Sequence, residues 1–100
     1  MPAPLRCYAH EPFGRLVRFL VATPEEPGRP TITYVVTFEI GDPTPGPLER
    51  RWYSGKLHRD LPAGVDEVMA QVLIATAQET TPPGCVWQGG ALVRCDRRAA

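Results

Sequence analysis

TITYVVTFEI, Thr31 to Ile40, carries the strongest structural signal in the chain. Ile32, Tyr34, Val36, Phe38 and Ile40 alternate with Thr31, Thr33, Val35, Thr37 and Glu39. Successive side chains on a strand point to opposite faces. A period of two in β-branched and aromatic residues therefore predicts a strand with one core face and one partly wet face. Full burial of each inward side chain stabilises by about 1.5–3 kcal/mol before chain entropy is subtracted. A strand with that much to bury belongs at the centre of its sheet.

Proline clusters bracket it: Pro24, Pro27 and Pro30 before, Pro43, Pro45 and Pro47 after, with Pro82 and Pro83 further on. Proline lacks a backbone donor and fixes φ, so these clusters separate elements rather than fill them. Upstream, Arg15 to Thr23 reads as a partner strand joined through the charged loop PEEPGRP. Val17, Phe19 and Val21 share one of its faces; Leu16, Leu20 and Ala22 share the other with Arg18. Because both faces carry apolar residues, something beyond the one helix is expected to cover the far side of the sheet. Downstream, GDPTPGP closes the central strand and Leu48 to Ser54 returns as a third, with Arg50 and Trp52 on one side and Arg51 and Tyr53 on the other.

The period then changes. From Pro62 to Thr80, residues Val65, Val68, Met69, Val72 and Thr76, flanked by Leu73 and Ala75, line one side of a helical wheel. Asp60 is the expected N-cap, Pro62 falls in the first turn, Asp66 and Glu67 suit the positive end of the dipole, and TTPPG ends the helix. Opposite that stripe Ala70, Ile74 and Ala77 form a candidate dimer strip. CVWQGGALVRC, Cys85 to Cys95, reads as a hairpin about Gly89-Gly90. A three-residue loop, Gly89 to Ala91, would set Cys85 against Cys95 and allow a cross-strand disulfide; the favoured two-residue turn sets Cys85 across from Arg94, leaving the thiols of Cys85 and Cys95 on opposite faces and free.

The expected architecture is one α+β domain over residues 1–100, with 1–13 and 96–100 as loose ends. A three-stranded antiparallel meander and a C-terminal strand or hairpin carry one amphipathic helix on one face, in the order β-β-β-α-β(-β). Composition agrees, at 43% hydrophobic and 22% charged, ordinary for a globular protein and far from disorder. Eleven basic residues balance eleven acidic ones, so no global field draws the chain to nucleic acid or to an anionic membrane. The start MPAPLRCYAH has neither a charged leader nor a long apolar run, and three cysteines are an odd count, so a cytoplasmic protein with reduced thiols is expected.

ERRWYSGKLHR, Glu49 to Arg59, is the candidate functional stretch. Arg, Trp and Tyr are the residue types that anchor protein interfaces. The candidate partner-binding residues are Arg50, Arg51, Trp52, Tyr53, Lys56, His58 and Arg59. The same interleaving of cations and aromatics suits single-stranded nucleic acid, which stands second because strand alternation splits the cations between faces. A small enzyme or metalloprotein drawing on Cys7, His10, His58, Cys85 and Cys95 stands third, since zinc sites show tighter paired spacings and no nucleophile signature is present. No metal and no cofactor is expected. The function expected is a small non-enzymatic protein-interaction module, such as an inhibitor or accessory subunit, whose partner is another protein or a second copy in a homodimer.

Overall fold

The computed structural model describes residues 5–24, 26–28, 31–51, 57–58 and 65–95. Five antiparallel strands, β1 (Arg6–Phe13), β2 (Leu16–Ala22), β3 (Thr33–Glu39), β4 (Glu49–Arg51) and β5 (Leu57–His58), lie side by side in sequence order. Helix α1 (Glu67–Gln78) packs on one face, and β6 (Cys85–Gln88) with β7 (Ala91–Arg94) forms a separate hairpin. This is the expected α+β arrangement, with β3 at the centre.

The main core lies between sheet and helix. Val17, Phe19 and Val21 of β2 and Tyr34, Val36 and Phe38 of β3 meet Leu73 and Ala77 of α1 and Leu92 of β7. Phe19, Phe38 and Trp87 stack with centroids 5.0–5.7 Å apart, mostly edge to face, the geometry favoured by ring quadrupoles. The Trp87 indole N–H donates to the Thr80 carbonyl at 2.8 Å, and the Gly41 N–H to the Leu92 carbonyl at 2.7 Å, tying the hairpin to the helix end and to the loop after β3. Its turn has the two residues expected. Gly89 and Gly90 have φ of 58° and 82°, left-handed values that a type I′ turn requires of both central residues, and Cys85 pairs with Arg94. Cys7, Cys85 and Cys95 are all free.

Two expectations are corrected. Residues 6–13 are a strand, not part of a loose end: Gly14, at φ 64°, turns the chain so that Phe13 pairs with Leu16 and Arg6 reaches Ala22. A β-bulge between Cys7 and Ala9 breaks the alternation that would have marked the strand in the sequence. The helix differs in both start and rotation. Asp66 is the N-cap, accepting from the Met69 N–H at 2.8 Å. Leu73, Thr76 and Ala77 are buried and Ala70 and Ile74 pack against the core, whereas Val68 and Val72 point outward. Ala70, Ile74 and Ala77 are therefore sheet-facing and form no exposed strip. A helix with apolar residues around most of its circumference does not fix its own rotation, and the small side chains of Ala70 and Ala77 let this side approach the strands most closely.

The outer edge of β1 is guarded. The Ile40 N–H bonds to Arg15 O and the Thr23 N–H to Ile32 O, so the odd-numbered residues of β2 bond toward β3 and the even-numbered ones toward β1. By the register with β2, His10 and Pro12 then direct their backbone groups outward. Pro12 offers no donor there, and with the bulge it discourages another strand from pairing.

Candidate functional site

Arg50 lies between Tyr34 and His58 in the ladder, and Arg51 between Thr33 and Leu57. As strand neighbours they face opposite ways, Arg50 with the helix-side row and Arg51 with the far side. For His58 only the backbone pairing is described, and Trp52, Tyr53, Lys56 and Arg59 lie outside the described residues. The expected patch is thus divided at its first two members.

Arg51 joins a different set. On the sheet face away from α1, Ala9, Leu20, Val35 and Glu49 form one row across four strands, and Glu11, Arg18 and Thr37 form the next. Leu20 and Val35 are buried although they point away from the helix. Over this floor Arg51 clamps Glu11 with two parallel bonds, Nη1 to Oε2 at 2.9 Å and Nη2 to Oε1 at 2.6 Å. The partners come from β4 and β1, three strand spacings apart and offset by four residues along the strands, about 20 Å in a flat sheet. Only a twisted, curled sheet brings them within reach. The bond from Arg51 holds the Glu11 carboxyl below its ordinary range, and the same bond raises the Arg51 guanidinium.

Aromatic side chains rim this face. Tyr8 is 49% exposed, with its hydroxyl 3.4 Å from the Thr33 hydroxyl, and Phe13 is 65% exposed. The Arg18 guanidinium lies 5.4 Å from the Phe13 ring centroid, a cation–π contact that presents ring and charge together. Tyr8, Glu11, Phe13 and Arg18 were not among the residues singled out from the sequence. The apolar pair Phe13 and Leu16 around Gly14-Arg15 was the available hairpin signal.

No family model matches the chain, and neither a curated protein nor a solved structure matches it. Function must be argued from the geometry alone.

A second cluster of reactive groups lies on the helix side. His10 Nε2 lies 2.9 Å from Thr80 Oγ1 and 3.9 Å from Cys7 Sγ. The Thr80 hydroxyl also lies 3.1 Å from the Ala77 carbonyl, to which it can donate while accepting from His10. The Cys7 thiol, beside the His10 ring, is directed to the Ala9 carbonyl at 3.6 Å. The ring packs edge-on against Phe19 with centroids 5.0 Å apart, and burial lowers its pKa. Burial likewise pushes the Cys85 thiol up. Among the described residues no group of three or more His, Cys, Asp and Glu is arranged to hold a metal ion, and no helix is long and apolar enough to cross a membrane.

Proposed function

We propose that this chain is a small non-catalytic protein-binding module, of the kind that serves as an inhibitor or accessory subunit, and that its binding surface is the sheet face away from α1. The observation that carries this reading is the pair of exposed aromatics, Tyr8 and Phe13, set with Arg18 around a floor braced by the Glu11–Arg51 clamp. Aromatic and arginine side chains on a rigid strand lose little conformational freedom on binding and supply most of the energy at protein interfaces. Nucleic acid is a poorer fit. Arg51 is neutralised by Glu11, and Arg50 points to the other face. The proposed setting is the cytoplasm, in keeping with the three free thiols.

Native mass spectrometry of the protein isolated from its own cells tests the reading. The expected result is a stoichiometric protein partner, or further copies of the chain, lost in Phe13→Asp. Nucleic acid that salt strips away, or a partner indifferent to Phe13→Asp and Tyr8→Ala, overturns it.

A further inference from the structure

The exposed large apolar side chains among the described residues divide into two pairs on opposite layers. Tyr8 and Phe13 lie on the open sheet face, while Val68, 74% exposed, and Val72, 45% exposed, lie one turn apart on the outer side of α1. The two surfaces differ in charge. From N-cap to C-cap, α1 carries Asp66, Glu67 and Glu79 and no basic residue. Its last turn, the negative pole of the helix dipole, has no cation of its own. On the sheet face Glu11 and Arg51 compensate one another and Glu49 is buried, which leaves Arg6 and Arg18 on either side of Tyr8 and Phe13 just beyond Arg18, in one row with the exposed acid Glu39.

We propose that the open sheet face receives the outer side of α1 from a second copy of this chain, docked head to tail. This rests on the reading of that face as a protein-binding surface and names its partner. The dimensions agree. Glu67 and Glu79 mark the two ends of α1, about 18 Å apart at 1.5 Å per residue. Arg6 stands opposite Ala22, four residues along β2 from Arg18, about 14 Å at strand rise, a difference that long side chains absorb. The acids at the two ends of α1 thus meet the two arginines, the valines between them meet the stretch of the face that carries Tyr8, and the arginine at one end supplies the cation that the helix C-terminus lacks. Like-with-like pairing has no such match. Two copies of α1 would set acids against acids with no base on either helix, and pairing through β1 meets the bulge and Pro12. Because donor and acceptor surfaces differ, the contact is heterologous and repeats from copy to copy.

Sedimentation velocity on the intact wild-type chain over a range of concentrations, at low and high salt, tests this alongside Val72→Lys and Phe13→Glu. Both substitutions are at exposed positions, and circular dichroism checks that each variant keeps the fold. Wild type is expected to form species heavier than a dimer at low salt that revert to monomer at high salt. Each variant alone is expected to stay monomeric. Their equimolar mixture is expected to give a 1:1 pair of twice the monomer mass and nothing heavier, because each retains the surface the other has lost. A wild type that is monomeric throughout, a variant that still self-associates, or a closed dimer that the mixture fails to restore overturns the proposal. If the wild type is monomeric yet carries a different protein from its cells, the self-docking proposal falls and the protein-binding reading stands.

Discussion

The two faces of the sheet bury side chains by different means. On the helix side, Phe19, Val36 and Phe38 are sealed by Leu73, Leu92 and Trp87, apolar against apolar. On the far side Leu20 and Val35 are equally buried, yet the braced feature above them is a carboxylate–guanidinium clamp made by strands that are not neighbours. The first face is a core in the ordinary sense. The second carries a polar cross-brace and leaves aromatics exposed at its rim. The fold rests on the first face, and the proposed binding surface lies on the second.

The comparison can be broken by substitution, and the largest effect belongs to the helix side. Phe19→Ala is expected to cost about 3–5 kcal/mol, enough to unfold much of the population of a small domain, read as a shift of the urea midpoint. Leu20→Ala on the far side is expected to cost about 2–3 kcal/mol. A loss near zero would mean that the clamp seals nothing.

Glu11→Gln should cost less, roughly 0.2–1 kcal/mol at neutral pH for a partly exposed pair. Its pH dependence is the sharper reading. The folded carboxyl lies below its ordinary value of 4.5, so the clamp's contribution is present above that pH and lost as pH falls through the folded value. Wild type and Glu11→Gln should therefore differ at neutral pH and converge in acid; a constant offset would contradict the clamp.

The smallest effect separates the faces by pH. Burial lowers the pKa of His10 below 6.5, so its neutral form favours the fold above that pH. As pH drops below 6.5 the unfolded chain takes up the proton first, and stability declines until the folded ring also titrates. His10→Gln should flatten this shallow slope while leaving the more acidic limb set by Glu11. Thermal midpoints across that range give the comparison.

Much of the helix side was legible. The alternation of Ile32, Tyr34, Val36, Phe38 and Ile40 named the central strand and its inner face, Val17, Phe19 and Val21 named its partner, and Gly89-Gly90 located the hairpin turn. Less of the candidate site could be read. Bulged at Cys7 and Ala9, β1 hides its own period, so Tyr8 and Phe13 went unmarked. Arg51 drew notice as a cation in a basic run, but its partner lies 40 residues away in sequence, and no local pattern joins Glu11 to it. The strip Ala70, Ile74 and Ala77 was read as outward-facing because the helix has too little polarity to fix its rotation.

By itself the sequence determined β2, β3, β4, the helix and the C-terminal hairpin, because alternation, helical period, proline clusters and paired glycines act over a few residues and their physics is local. Only the tertiary structure decided which side of α1 meets the sheet, that residues 6–13 close its edge, and that Glu11 and Arg51 meet above Leu20 and Val35. Those outcomes depend on sheet twist and on the closeness of packing between elements distant in the chain, and neither quantity is written in any short stretch of it.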